Sequence, residues 1–175
     1  MTEVRTHAGS LALRRWTQAD RAAWLALFAD PDVVRWVGDG HVDRERDTAI
    51  FERLLALAIG PDQRFAFVMA AELCGEIAGH VELKLTEHTR PGEWELVYVL
   101  ARRAWGRGLG SALAAWGLAT AHAHGRRVIA TVARNNTASL RILAKLGLAT
   151  EAELYGGETL LLRERASAGA RAPRC

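Results

Sequence analysis

The sequence predicts a mixed α/β (α+β) fold, with helices on both faces of a mostly antiparallel sheet of about seven strands. Half of the 175 residues are apolar, which is enough for one domain with a real core. Strand-like runs form an antiparallel meander in the middle of the chain, and a strand, glycine loop, helix and strand follow over residues 93–132. A right-handed crossover in that unit makes its two strands parallel, with the loop at the carboxyl end of the first.

The first half of the chain predicts one strand and three helices. Alternating polarity predicts the strand, and Thr17 with Asp20 resembles a capping box at the start of the first helix. Pro31 fits the first turn of a second short helix, and the two glycines in residues 37–41 predict a loop after it. The predicted bounds are 10–15 for the strand, 17–28 for the first helix, 31 onward for the second and about 43–58 for the third.

The second half predicts the rest of the sheet and two more helices. A tight connection around residues 73–75 joins two strands into a hairpin, and Gly125 and Gly147 end the two helices. Two last strands flank Gly156-Gly157. The predicted bounds are 64–71 and 76–85 for the hairpin, 93–100 and 128–132 for the parallel strands, and 137–146 for the last helix.

The chain shows no internal repeat and no interdomain linker, so residues 1–164 are expected to form a single domain. Residues 165–175 have too little apolar content to pack, and we expect them to form a frayed tail.

Composition disfavours several classes of protein. The 23 basic and 20 acidic residues are dispersed, so the formal charge of +3 comes without the dense basic run of a nucleic-acid-binding arm. No apolar run approaches the roughly 18 residues of a membrane span. The only cysteines are Cys74 and Cys175, and the six histidines form no HExxH-type array, so neither a disulfide framework nor a metal site is indicated. We expect a cytoplasmic protein that binds no metal, nucleic acid or membrane.

The glycine loop over residues 106–111 predicts an anion site. A dinucleotide-binding fingerprint needs glycine at the sixth position, where this chain has Ser111, and a Walker loop needs a lysine that is absent. The remaining interpretation is a short loop whose backbone amides converge at a helix N-terminus and cradle a phosphate. The alternative is a flexible turn that only caps the helix.

Three stretches together resemble the GNAT superfamily of N-acetyltransferases. Trp105-Gly106-Arg107-Gly108-Leu109-Gly110, after a tyrosine-containing strand, resembles its acetyl-CoA pyrophosphate loop. Residues 135–148 are similar to its Asn-x-x-Ser helix ending in Lys-Leu-Gly-Phe. The opening, LALRRWTQAD onward, resembles the branch that includes ribosomal-protein alanine N-acetyltransferases. The resemblance implies a sheet whose two parallel strands splay apart, with acetyl-CoA as cosubstrate and no metal.

The resemblance also implies which residues hold acetyl-CoA. Amides at the start of the helix would bind its pyrophosphate, and the strand before the loop would pair with its pantetheine arm. Asn136 would hydrogen-bond the pantetheine or acetyl end, although its position also suits a helix cap. The implied cofactor residues are Val99, Leu100, Arg102, Trp105, Gly106, Arg107, Gly108, Leu109, Gly110, Ser111, Asn136 and Ser139.

Acetyl transfer to an amine needs a base, and Glu95 is the candidate, with Glu93 in reserve. Alternatively, both carboxylates decorate a wet face of the sheet. Where many relatives have a tyrosine that protonates the leaving thiolate, this chain has Leu143. Ser139 or Tyr155 is therefore expected to take that role.

The acceptor pocket is expected between the early helices and the last hairpin, walled by Trp36, Gly38, Asp39 and Gly40. The acceptor would be a small amine or a protein N-terminus, and the chain a monomer or homodimer. The alternative function is a non-catalytic acetyl-CoA-binding module, in which Leu143 marks lost chemistry.

Overall fold

A computed structural model describes residues 2–6 and 9–165, and this part of the chain contains eight strands and five α-helices. The strands are β1 (Thr2–Thr6), β2 (Gly9–Arg14), β3 (Phe65–Leu73), β4 (Glu76–Lys84), β5 (Glu93–Leu100), β6 (Arg127–Ala133), β7 (Leu148–Leu154) and β8 (Thr159–Glu164). The helices are α1 (Arg21–Phe28), α2 (Pro31–Val34), α3 (Arg44–Leu55), α4 (Leu109–Ala123) and α5 (Thr137–Lys145).

All eight strands form one sheet in the order β1-β2-β3-β4-β5-β6-β8-β7, and every neighbouring pair is antiparallel except β5 and β6. The predicted fold class is confirmed, with one strand more than the count of about seven. The additional strand is β1, whose sequence contains a single apolar residue, Val4. Its pairing with β2, more than its own hydrophobic pattern, makes it a strand.

The parallel pair is short, and its two strands separate. Residues Glu93–Glu95 of β5 pair with Arg127–Ile129 of β6, and no further residues of these strands pair with each other. Beyond that point β5 continues along β4, whereas β6 continues along β8. The sheet therefore opens into a V between the carboxyl halves of β5 and β6, as the resemblance implied.

Buried charges hold the closed end of this V. Glu93 is 1% exposed and accepts hydrogen bonds from Arg127 on β6 and from Arg163 on β8. Burial, together with the neighbouring positive charge of Arg90, lowers the pKa of Arg163. Both oxygens of Glu93 are occupied by this arginine network, so Glu93 is poorly placed to serve as the reserve base.

Helices cover both faces of the sheet, and each face has its own core. On one face Trp94 and Leu96 of β5 pack in a cluster with Leu113 of α4 and Leu143 of α5. On the opposite face Val99 of β5 packs in a cluster that includes side chains of α1, α2 and α3. Successive residues of β5 alternate between these cores, so its odd-numbered residues face α1–α3.

None of the helices in residues 2–6 and 9–165 is long and apolar enough to cross a membrane. Most of the predicted C-terminal tail, from residue 166 onward, lies outside the described residues.

Candidate functional site

The glycine loop opens onto the N-terminus of α4. Gly106 has φ of 71° and Gly108 has φ of 76°, in the left-handed region that favours glycine, and no atom lies within 4 Å of where a Cβ would stand on either. The first hydrogen bond of α4 runs from the Ala112 amide to the Gly108 carbonyl. The three preceding amides therefore have no partner within the helix and point toward the loop. This arrangement suits an anion such as a phosphate.

Two further contacts fix the position of the loop. The indole N–H of Trp105 donates to the Leu100 carbonyl at 2.9 Å, which folds the loop back over the end of β5. A Cβ on Gly110 would lie 3.2 Å from Ile142 Cδ1, so glycine lets α4 approach α5 and the side chains of β5 closely. The helix N-terminus is thereby held at the open end of the V.

The backbone of β5 has unpaired groups along the V. The Ala101 amide donates to the Ala78 carbonyl on β4, and a Cβ on Gly79 would lie 2.4 Å from the Val99 carbonyl. Odd-numbered residues at this end of β5 thus direct their backbone groups toward β4, and the alternation of an antiparallel ladder turns those of Tyr98 and Leu100 toward the opening. Of the two predicted strand contacts, the amide of Leu100 faces the V and that of Val99 faces β4.

A cavity of about 310 Å³ runs from the glycine loop into the V. Its wall includes Trp105 and Gly106 of the loop, Leu100 of β5, and Asn136 and Ser139 at the start of α5. We refer to it as the glycine-loop cavity. An additional charge on its wall, not singled out from the sequence, comes from Arg35 at the end of α2.

The arginines of the glycine loop and of the turn before it differ in their surroundings. Arg107 is exposed and has no ion pair within the described residues, so its charge is free for a phosphate. Arg102 instead forms an ion pair with Asp32 of α2, which joins the loop to the first helical layer. Arg103 donates to the Ile77 carbonyl.

A second cavity, of about 320 Å³, continues on the other side of the V. It shares Tyr98, Asn136 and Ser139 with the glycine-loop cavity, and its wall also includes Glu95. We refer to it as the Glu95 cavity. The structure thus brings Glu95, Asn136 and Ser139 together in the wall of one cavity.

Glu95 is 5% exposed and lies where β5 and β6 begin to separate. Its Oε1 accepts from the Thr131 hydroxyl at 2.5 Å and from the Thr131 amide at 3.3 Å. The carboxylate is therefore oriented by β6 and stands in the cavity wall. This excludes the alternative that Glu95 decorates an exposed face of the sheet.

Asn136 caps α5, since its Oδ1 accepts from the Ser139 amide at 3.2 Å. This geometry leaves the amide nitrogen of its side chain available to the cavities. The predicted cap is therefore present, and a role in ligand binding is compatible with it.

Sequence reasoning did not single out Tyr98. Its hydroxyl is buried and has no partner with normal hydrogen-bond geometry among the described residues. Burial raises the pKa of Tyr98, and the neighbouring Ser139 hydroxyl opposes this rise. The phenol therefore stays protonated beside Ser139. The one signal in the sequence that points to it is a polar hydroxyl within the run 96–100, whose other residues are leucine and valine.

The loop after α2 supplies two of the four residues that were predicted to wall the acceptor pocket. Trp36 and Gly38 line the Glu95 cavity, whereas Asp39 and Gly40 do not. Asp39 is instead held by Arg46 of α3 at 2.5 Å and by the His41 amide at 3.1 Å. The hydrogen bond from His41 and the contact with Arg46 lower the pKa of Asp39. Its carboxylate thus fixes the loop and is not directed at an acceptor.

Tyr155 lies at the rim of the Glu95 cavity and is 67% exposed. Its φ of 50° is unusual for a residue with a side chain, and Gly156 and Gly157 continue the turn with positive φ. Its ring contacts His88 edge to face. Among the residues described, no group of three or more His, Cys, Asp or Glu side chains could hold a metal ion.

Comparisons with known proteins identify this architecture. Residues 10–149 match a family model described as an acetyltransferase (GNAT) domain. The structure of Mycobacterium smegmatis RimJ in complex with CoA-disulfide is similar, with a TM-score of 0.76 and 26% identity over 93% of this chain and 85% of that one.

Two more distant structures share the fold. A GNAT-family acetyltransferase from Bacillus anthracis has a TM-score of 0.67 and 19% identity over 93% of this chain and 95% of that one. A spermidine N-acetyltransferase from Vibrio cholerae, in complex with CoA and spermine, has a TM-score of 0.68 and 15% identity over 87% of this chain and 92% of that one.

Proposed function

The chain belongs to the GNAT acetyltransferase family, and on this premise we propose that it transfers the acetyl group of acetyl-CoA to a primary amine. The observation that carries the proposal is the opening between β5 and β6, where the glycine-loop cavity and the Glu95 cavity share Tyr98, Asn136 and Ser139. A ligand entering along the glycine loop and an amine entering from the other side would meet beside the Glu95 carboxylate.

The residues present suit acetyl-CoA. The open space over Gly106 and Gly108 and the free amides of α4 fit a pyrophosphate, with Arg107 as a further charge. The backbone of Tyr98 and the amide of Leu100, which turn toward the V, fit the amide groups of a pantetheine arm by strand addition. Asn136 would donate to a carbonyl of that arm. When bound, acetyl-CoA supplies an acetyl thioester that is susceptible to attack by an amine.

Glu95 would act as the general base. An amine with a pKa above neutrality has to lose a proton before it attacks, and a carboxylate within reach, directly or through water, can accept it. The Thr131 contacts hold one oxygen of Glu95 in place and leave the other to face the acceptor. Orientation of the amine beside the thioester would supply much of the remaining acceleration.

The backbone of β5 would polarise the thioester carbonyl. The amides of Tyr98 and Leu100 face the V and lack partners in the sheet, so either can donate to the oxygen as charge develops on it.

Ser139 would protonate the departing thiolate. It borders both cavities, whereas Tyr155 borders only the Glu95 cavity and is largely exposed. We therefore favour Ser139 over Tyr155, with the protonated phenol of Tyr98 as its neighbour. Tyr155 is then a wall of the acceptor pocket, together with Trp36.

The direct test measures release of free thiol from acetyl-CoA with a panel of amines, comprising free amino acids, amino acid amides, spermidine and short peptides with free N-termini. Binding of acetyl-CoA is titrated separately by calorimetry. Turnover with any amine, lost in the Glu95→Gln variant, supports the proposal. Tight binding without turnover on any member indicates a non-catalytic acetyl-CoA-binding module, and absence of binding contradicts both functions.

A further inference from the structure

A row of polar side chains on β4 ends in the wall of the Glu95 cavity. His80, Glu82 and Lys84 alternate along the strand, so they share the face that carries Glu95, Val97 and Val99 on β5. His80 is 2% exposed, yet neither the fold nor the proposed acetyl transfer accounts for a charged row at this depth.

Contacts along the row fix its protonation. The Trp16 indole N–H donates to His80 Nδ1 at 3.0 Å, so this nitrogen is an acceptor and the ring carries its proton on Nε2. That nitrogen is 2.9 Å from Glu82 Oε1 and donates to it. Burial alone would raise the pKa of Glu82, but the hydrogen bond from His80 and the charge and hydrogen bond of Lys84 outweigh it and lower the pKa. Glu82 is therefore a carboxylate at any physiological pH.

Glu82 in turn holds Lys84. The Lys84 ammonium lies 2.7 Å from Glu82 Oε2, and its side chain lies over the ring of Phe65. Since an ammonium has three N–H donors, two remain for other partners after the contact with Glu82. Lys84 is the one lysine or arginine among the residues that line the Glu95 cavity, where the structure describes them. The buried row thus fixes a single cation in the cavity wall.

The Lys84 ammonium and the Glu95 carboxylate place a positive and a negative charge side by side in the wall of the Glu95 cavity. Lys84 is directly opposite Glu95 in the register of β4 and β5, and residues so paired have Cα atoms about 5 Å apart. A primary amine would be drawn to Glu95 and repelled by Lys84, while an oxyanion would be drawn to Lys84. A polyamine would place a second cation in this cavity, and a peptide N-terminus offers a neutral amide where the oxyanion would lie.

Resting on the proposed acetyl transfer, we infer that Lys84, positioned by His80 and Glu82, selects acceptors that carry an oxyanion close to the reactive amine. The acceptor class is a small zwitterion, such as a free α-amino acid. The amine faces Glu95, and the carboxylate accepts from the Lys84 ammonium. The ammonium of the zwitterion loses one proton to Glu95, and the free amine forms a bond to the acetyl carbon. As the bond from that carbon to the CoA sulfur breaks, Ser139 gives its proton to the thiolate and takes the second proton of the nitrogen in return, which leaves the N-acetyl amide and CoA thiol.

The experiment compares free amino acids with their amides, which differ only in the anion, using alanine, methionine and phenylalanine and their amides. For the wild type, kcat/KM for at least one free acid should exceed that for its amide by about tenfold or more, as a charge-assisted hydrogen bond implies. In Lys84→Met this ratio should fall toward one, mainly through a higher KM for the acid. Lys84→Arg should keep a preference for the acid.

Two controls separate selection from damage to the fold. Lys145, exposed at the end of α5, is the only other lysine of the chain, so Lys145→Met is a matched loss of one ammonium and should keep the wild-type ratio. The double variant Glu82→Gln/Lys84→Met removes both charges of the pair together and leaves no unpaired buried charge. It should fold and show the same loss of preference as Lys84→Met.

A binding measurement makes the outcome independent of turnover. With CoA present, the free acid should raise the melting temperature of the wild type more than the amide does, and this difference should vanish in Lys84→Met. Equal ratios in the wild type and Lys84→Met, a wild-type preference for amides or spermidine, or no stabilisation by any free acid would overturn the inference. Acetylation of amides or spermidine would contradict selection by Lys84 but would still support the proposed acetyl transfer. Binding of acetyl-CoA without turnover on any amine would contradict the proposed acetyl transfer, and the melting temperatures would still test selection by Lys84.

Discussion

The Glu95 carboxylate meets the Thr131 hydroxyl across the separating strands β5 and β6, with 2.5 Å between Glu95 Oε1 and Thr131 Oγ1. The last paired residues of the two strands are Glu95 and Ile129, so this contact spans the first step of the opening. One hydrogen bond thus ties the proposed base to the place where the sheet divides. It holds the proposed base in the wall of the Glu95 cavity.

Glu95→Gln should lower kcat by about 10²- to 10⁴-fold, because the amide keeps the shape of the side chain but cannot accept the proton of the amine. The dissociation constant for acetyl-CoA, measured by calorimetry, should stay within about twofold, since Glu95 faces the acceptor side. Thr131→Val retains the base and the backbone amide that contacts it but loses the hydroxyl that orients it, so a smaller loss of kcat, about tenfold, is expected. Full activity of Glu95→Gln at every pH tested would exclude this carboxylate as the base.

Asn136 can be tested for its two roles with two substitutions. Asn136→Asp keeps an oxygen that accepts from the Ser139 amide and places a negative charge at a helix N-terminus, so the melting temperature should hold or rise. The same change removes the N–H donor proposed to face the pantetheine arm. Its dissociation constant for acetyl-CoA should therefore increase by about tenfold.

Asn136→Ala is the companion variant, because it removes both the cap and the donor. It should lower stability by about 1 kcal/mol and weaken acetyl-CoA binding together. If Asn136→Asp binds acetyl-CoA as tightly as the wild type, Asn136 is only a helix cap.

The prediction of the fold and of the glycine loop rested on local signals. Strand alternation, proline and glycine at element ends, and a cluster of glycines where an apolar helix begins are all properties of neighbouring residues. Strands β3 to β6 and helix α4 could therefore be placed from the sequence. Strand β1 could not, because its pattern is polar and its pairing with β2 defines it.

Roles that depend on partners distant in the sequence were beyond local signals. Glu93 and Glu95 lie two residues apart on the same face of β5, so the sequence pattern treats them alike. The contacts from Arg127 and Arg163 to Glu93 are what make Glu95 the better candidate for the base. In the same way, the Asp39 carboxylate contacts Arg46, a partner that the sequence does not reveal, and is not directed at the acceptor pocket. Lys84 lies opposite Glu95 because of the register between β4 and β5, and this register is not specified by any single stretch of sequence.

The free amides of the loop can be tested with a matched pair of glycines. Gly108 and Gly125 have φ of 76° and 66°, and neither has an atom within 4 Å of its Cβ position. Alanine at either position should therefore cost about 1 kcal/mol of stability through backbone strain alone. Gly108→Ala should also raise the dissociation constant for acetyl-CoA by about tenfold or more, because it reshapes the turn that presents the amides.

Gly125→Ala carries the same strain at the far end of α4, so its affinity for acetyl-CoA should equal that of the wild type. Calorimetric titration of both variants at one temperature makes the comparison. Equal affinities for Gly108→Ala and Gly125→Ala would contradict binding of the pyrophosphate by this loop.

Asp20 should make the stability of the protein depend on pH in the acid range. Its carboxylate accepts two hydrogen bonds from Arg14, at 2.7 and 2.8 Å, and one each from the Thr17 amide and hydroxyl. The Arg14 hydrogen bonds outweigh burial and lower the pKa of Asp20 from 3.8 to about 2. A lowered pKa means that the folded state favours the carboxylate more than the unfolded chain does, so protonation destabilises the fold.

Asp20→Asn should therefore be less stable than the wild type at neutral pH, by about 2 kcal/mol for the lost hydrogen bonds to a charged group. The difference in the free energy of unfolding between the two proteins should have its full size above pH 3.8. It should become smaller as the pH falls through about 2, because the wild-type carboxylate then becomes protonated and loses its charge. Urea unfolding of both proteins at a series of pH values measures it, with exposed Asp62→Asn as the control that should match the wild type throughout. A difference that stays constant down to pH 2 would show that the charge of Asp20 contributes nothing to the junction of β2 and α1.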